Sequence, residues 1–399
     1  MRWRFVNTEA EFQKKASMQS LIEAWWESFV ENQNTFTSPF DKNRNQSGLP
    51  SPPPNSAPLK AIDERLMWEC SSPKTGNFLL TVTCELHIEL RSLVDEIIRR
   101  APNLPNWTFT PYREAEPPHL VEASYEARSR EMMPADLTLR FERSQNNRVN
   151  LKFQSSKFNG ENNVDDILTC MLISSILFGE EVHEKWIDYV LTSESNHGLK
   201  GIFSLFGGRK IKNDENTYAG WQKQLATILS EIRASRPSTL IADQLDPKDE
   251  SWTVIGIKPA DLPKGTPIPE RISWVTKCPE VILGKSNGFH FSSENFSALG
   301  ETFCSIKTKQ THGEERSEAV DNQRDEFESA LNQNLRAAGL GCTFGSGIGL
   351  DNTFWDLCLT NIEQAIPIIK DLVEQHHLPS ETQLVFFDSS LADETVELA

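Results

Sequence analysis

The residues of this chain whose types and spacing could support chemistry are few. Gly339, Gly341, Gly345, Gly347 and Gly349 lie in the run GLGCTFGSGIGLDN. Bare backbone amides in such a run can approach a phosphate closely, which makes Gly345, Ser346, Gly347 and Gly349 candidates for a phosphate loop. In the dinucleotide fingerprint, however, the glycines lead from a strand into a helix. Here they lead into Thr353–Thr360, a predicted strand, and no Gly-Lys-Ser/Thr follows. Hairpin and helix-stop geometry accounts for the same glycines without a ligand. Arg209 and Lys210, in a compact basic cluster with Gly207, Gly208 and Lys212, are the charged candidates for holding an anion or an acidic partner. A solvated turn before Asn213 is the simpler reading of that cluster.

The remaining candidates fall away on spacing. His87 and Glu89 form an H-x-E pair, but the P-C-x-x-C half that a zinc deaminase needs is missing. His376 and His377 have no visible third ligand and suit a helix C-terminus, as Asp165 and Asp166 suit a helix N-terminus. No G-x-S-x-G elbow is present. No catalytic residue, metal ligand or cofactor is therefore assigned.

The whole chain has 399 residues, too many for one ordinary core, so two or three domains are expected. Acidic residues outnumber basic ones by 57 to 40, a formal charge of −17. Phosphate backbones call for a concentrated positive face, so nucleic acid is disfavoured, whereas a basic protein partner suits the charge. The cysteines number seven and include no C-x-x-C, which argues against a disulfide framework or a zinc site. They read as buried, reduced thiols of a cytoplasmic protein. The N-terminus lacks the apolar core of a signal peptide, and the apolar run near 167–178 is too short to span a bilayer.

The elements divide the chain into five parts. Residues 1–32 read as an amphipathic helix with a Thr8/Glu11 capping box and the stripe Met18, Leu21, Ile22, Trp25 and Phe29. Residues 33–60, with Pro50, Pro52, Pro53, Pro54 and Pro58, read as a linker. Residues 61–194 interleave strands and helices, including a hairpin of 137–143 with 148–154 about Asn146-Asn147 and an apolar helix over 164–178. Residues 195–299 form a less regular α/β segment, with a helix over 217–234 and strands over 252–257 and 272–283. Residues 300–399 follow the order βαββαβ and end in an acidic tail expected to fray. In that last part Pro367 falls inside the second helix, which is then either kinked or begins late. The expected fold is α+β: two ferredoxin-like split βαβ sandwiches joined by the middle segment. Several of the ten tryptophans, Trp25, Trp107, Trp252 and Trp355 among them, fall on predicted elements and are expected in cores.

The stretch from Leu66 to Arg113 also carries a resemblance. Leu66, Trp68 and Glu69 open it; Ala101, Pro102, Leu104 and Trp107 follow, then Pro111 and Arg113. With Ile176–Glu180 and Trp186, this pattern resembles an uncharacterised bacterial family of domains of unknown function, over about residues 61–191. The resemblance implies structural roles for these residues and supplies no catalytic ones. The C-terminal part is similar in element order and acidity to bacterial regulators of ribonuclease activity, an analogy of fold. The leading expectation is a non-enzymatic protein-binding or regulatory module. The alternative is a small-ligand or phosphate sensor, or an enzyme, with its site between the domains.

Overall fold

The structure, a computed structural model, describes residues 2–37, 57–71, 77–85, 87–193, 216–244, 252–257, 269–287, 290–310 and 318–399. The fold is α+β. The chain separates into two compact units. One comprises Thr8–Ser144 and Arg148–Leu229; the other comprises Met1–Asn7, Gln145–Asn147 and Ser230–Ala399.

The first unit opens with α1 (Glu9–Thr37), whose N-terminus carries the predicted capping box: Thr8 Oγ1 accepts from Glu11 N at 3.3 Å, and Glu11 Oε2 accepts from Thr8 N at 3.1 Å. Ile22, Trp25, Trp26 and Phe29 are buried, while Leu21 stays exposed. The short α2 (Ala57–Ile62) leads into β1 (Met67–Ser71), β2 (Phe78–Thr83), α3 (Arg91–Arg99) and β3 (Trp107–Thr110). The stripe of α1 packs on this sheet, with Trp26 against Phe109 and Phe29 against Trp107, each pair 4.9 Å between ring centroids. Trp26 Nε1 also donates to the carbonyl of Ile97 at 2.9 Å, so the indole is buried without an orphaned donor. Burying each large side chain of this stripe contributes roughly 1.5–3 kcal/mol.

Next come α4 (Val121–Ser129), β4 (Thr138–Arg143), β5 (Val149–Gln154), α5 (Val164–Phe178), α6 (Glu180–Trp186) and β6 (Ile187–Ser193). Here the expectation of one βαββαβ sandwich over 61–194 is corrected. The strands form two separate three-stranded sheets, β1-β2-β3 and β4-β5-β6. In each, the first pair is antiparallel and the second is parallel, joined by a helical crossover. β3 ends at Thr110, just before Pro111, which has no N–H to continue a ladder. The β4/β5 hairpin is as predicted, with Asn147 at φ +54° in its turn. Asn163 caps α5, accepting from Asp165 N at 3.0 Å. The helix α7 (Tyr218–Ser235) follows.

The C-terminal unit is built on β7 (Thr253–Gly256), β8 (Arg271–Thr276), α8 (Pro279–Asn287), β9 (Thr302–Lys309), α9 (Glu318–Ala337), β10 (Gly341–Gly349), β11 (Asn352–Leu359), α10 (Ile362–Gln375), β12 (Gln383–Phe386) and β13 (Thr395–Glu397). Its sheet runs β13-β12-β9-β11-β10-β8-β7, every neighbouring pair antiparallel. From β9 to β12 the chain order is βαββαβ and the spatial order is fourth, first, third, second, the interleaving of a split βαβ motif. β7 and β8, read as part of a middle segment that is either an insert or an extension of a neighbouring domain, extend this sheet. Two expectations change. The stretch 272–283 is a strand only to Thr276 and then a helix, with Pro279 at its first position. The acidic tail does not fray: Val396 lies opposite Leu384, and Glu394 accepts from the amides of Trp3, Arg4 and Phe5 at 2.6–3.0 Å. α10 begins at Ile362, capped by Asn361, so Pro367 is interior and the helix does not begin late.

Candidate functional site

One cross-strand row shows how the C-terminal sheet is covered. Val254, Val275, Ser346, Trp355, Ile306, Leu384 and Val396 lie side by side across all seven strands, each in register with the next. From Trp355 outward to Val396 the row is buried in a core with Phe327, Leu331 and Leu335 of α9 and Ile369, Leu372 and Val373 of α10. At the other end the cover stops. Val275 is 37 % exposed and Val254 73 %. Trp252, just before β7, is also exposed, with Lys277 Nζ 5.0 Å from its ring centroid. Among the described residues β7 pairs only with β8, so one edge of it has no ladder partner.

Glu328 of α9 lies close enough to Ser346 of this row to be influenced by its hydroxyl. Its pKa is pushed up to about 7, chiefly by burial; Ser346 and Arg324 pull it down, and Asp325 and Asp356 push it further up. A carboxyl with a raised folded pKa holds its proton more tightly in the native state than in the unfolded chain. Its stabilising contribution is full below about 4.5 and is lost as pH rises towards 7. Glu328→Gln should therefore match the wild type near pH 4.5 and exceed it at pH 8, by on the order of 2 kcal/mol. Urea midpoints of both proteins at the two pH values test this, and an equal difference at both would refute it.

The candidate phosphate residues lie on β10 itself. The loop read between two strands is corrected to a continuous strand, Gly341–Gly349, paired on both sides. Its backbone serves sheet ladders, and the glycines have another role. A bulge at Phe344 turns Gly345, Gly347 and Gly349 to the face opposite α9, and a second at Ile272 turns Arg271 to the same face. A Cβ on Gly347 would collide with the Arg271 guanidinium, and one on Gly345 would lie 2.8 Å from the carbonyl oxygen of Val275. The missing side chains are the channel through which Arg271 reaches Asp356.

Arg271 Nη1 and Nη2 donate to the two Asp356 oxygens at 2.7 and 2.6 Å, and Ser305 Oγ donates to Asp356 Oδ1 at 2.6 Å. Phe354 and Trp274 flank the guanidinium at 5.0 and 5.3 Å. All three polar residues are buried. Arg209 and Lys210 lie outside the described residues. Among the described residues, no three His, Cys, Asp or Glu side chains come together as a metal site would require, and no helix is long and apolar enough to cross a membrane.

The first unit has its own buried charge network, and sequence reading missed its centre. Arg91 of α3 donates to the Pro111 carbonyl at 2.7 Å, to Glu184 Oε2 at 2.5 Å and to Glu180 Oε1 at 3.4 Å. The Tyr112 ring lies 4.0 Å from its guanidinium carbon. Glu180 also accepts from Thr83 Oγ1 and from the Arg113 amide. Arg113 reaches outward to Glu69 and Glu85, 3.0 Å each. Burial raises the pKa of Glu184 despite the pull of Arg91. The network ties the end of one three-stranded sheet to α6, which leads into the other. Glu69, Pro111, Arg113 and Glu180 all meet in it. No protein-family model matches the chain, and no curated protein or solved structure does either.

Proposed function

We propose that this protein is a protein-binding module and that the outer edge of β7 is where it takes hold of its partner. The bare end of the cross-strand row, Val254 and Val275, supports this reading. An edge strand with exposed β-branched side chains can accept a further strand, gaining ladder hydrogen bonds and pockets for alternate side chains. The occupant is an extended partner segment with β-branched or aromatic residues at alternate positions and Lys or Arg flanking them, in keeping with the chain's charge of −17. The likeness to regulators of ribonuclease activity enters only as an analogy of element order and charge.

A library of random linear peptides displayed on phage, selected against the full chain, tests the proposal. Enriched peptides should show that alternation, protect the amides of Thr253–Gly256 from hydrogen exchange, and bind Val254→Glu at least about tenfold more weakly. Val254 faces solvent, so this variant should fold normally. Protection confined to other strands would overturn the assignment. So would concentration-dependent dimerisation of the wild type that Val254→Glu abolishes, because the occupant would then be a second copy.

A further inference from the structure

The sheet of the C-terminal unit holds two thiols face to face. Cys342 of β10 and Cys358 of β11 are direct register partners, and their Sγ atoms are 3.3 Å apart. Both are fully buried, in a cluster with Phe303, Phe344 and Trp274. Directly opposed residues of an antiparallel pair have Cα atoms about 4.5–5.5 Å apart, within the span that a disulfide bridges. Cys304, equally buried, belongs to the core on the other face, and its thiol lies 3.9 Å from the Leu357 carbonyl oxygen.

We propose that Cys342 and Cys358 form a redox-active dithiol, which a small disulfide such as glutathione disulfide oxidises to a cross-strand disulfide tying β10 to β11. Cys342 is the attacking group: the hydrogen bond from Cys358 and the nearby Arg336 guanidinium lower its pKa, while that same hydrogen bond and burial raise that of Cys358. The Cys342 thiolate attacks one glutathione sulfur, the glutathione S–S bond breaks, and one glutathione leaves. Cys358 then gives up its proton and displaces the second glutathione from the mixed disulfide. The protein loses two electrons and two protons, and glutathione disulfide becomes two molecules of glutathione.

Burial makes the reaction depend on a local opening. The turn Ile241–Asp243 packs in the same cluster as the two thiols. It is held by the Ile241 amide on the Glu301 carboxylate at 3.2 Å and by an exposed Asp243–Arg336 ion pair at 2.7 Å. Lifting such a turn costs far less than unfolding the unit.

The test treats the full chain with excess glutathione disulfide, in buffer and in urea well below the unfolding midpoint, followed by denaturation, alkylation and peptide mapping. The number of alkylated cysteines should fall from seven to five, with Cys342 and Cys358 recovered as one cross-linked peptide. Oxidation should be faster in the mild urea, and dithiothreitol should restore all seven. Cys304 should alkylate throughout, and Cys342→Ala and Cys358→Ala, each checked for folding by circular dichroism, should lose the cross-link. Full alkylation of both cysteines in the urea sample would overturn the proposal, as would recovery of glutathione adducts on them in place of the cross-link.

Discussion

Asp356→Ala should destabilise the C-terminal unit by about 3–5 kcal/mol, a large share of the roughly 5–15 kcal/mol that holds a typical domain together. The loss comes mainly from what is left behind. Arg271 would remain charged between Trp274 and Phe354, with its bidentate acceptor gone and, among the described residues, no hydrogen-bond partner for its Nε. Ser305 would lose its acceptor too. A guanidinium cannot escape by deprotonating, so the cost should change little across the neutral range. Replacing both partners, as in Arg271→Met with Asp356→Leu, should cost much less, because no charge is then stranded. Gly347→Ala should act from the other side by placing a methyl group where the guanidinium lies. Urea unfolding of the single and double variants separates the effects. A loss under about 1 kcal/mol for Asp356→Ala would place the pair in solvent.

That pair also shows where sequence reading stops. The βαββαβ order after Gly300 was legible because each element carries its own period: Phe327, Leu331 and Leu335 recur at helical spacing, and Cys304 and Ile306 alternate along a strand. The helix Val164–Phe178 was legible to the residue from its apolar run, with Asp165 and Asp166 at its positive end. Pairing over long separations has no such local signature. Nothing near Trp274 or Thr276 announces that β8 will lie beside β10, so residues 252–276 read as a separate segment. The glycines of β10 were visible as glycines, but their reason is a guanidinium attached at position 271. A local signal was available for the end of β8: Pro279 can begin a helix but cannot continue a central strand. The strand at 253–256 was foreseen, but that among the described residues one edge of it is unpaired and its face exposed depends on what the other strands and helices leave uncovered. The resemblance singled out Glu69, Arg113 and Glu180 but not Arg91, which joins Glu180 and Glu184 across 89 and 93 residues of chain.

Arg91→Met should be the most damaging single substitution in the first unit, at about 3–5 kcal/mol at pH 8. Methionine fills much of the same space, so the effect isolates charge from packing. Without the guanidinium, Glu184 loses its cation, and Glu180 keeps only the Thr83 hydroxyl and the Arg113 amide. Burial already holds the Glu184 pKa above its ordinary value with Arg91 in place, and removing Arg91 should raise it further. The native state of the variant then binds protons that its unfolded state releases, so its stability should fall as pH rises from about 4.5. The difference from the wild type should accordingly be small near pH 4.5 and largest at pH 8. Arg113→Met removes an arginine whose acidic partners are partly exposed, and should cost only about 1 kcal/mol. Thermal or urea unfolding of the three proteins at the two pH values decides the matter. A pH-independent loss for Arg91→Met would mean that packing against Tyr112, rather than the stranded carboxylates, holds this site together.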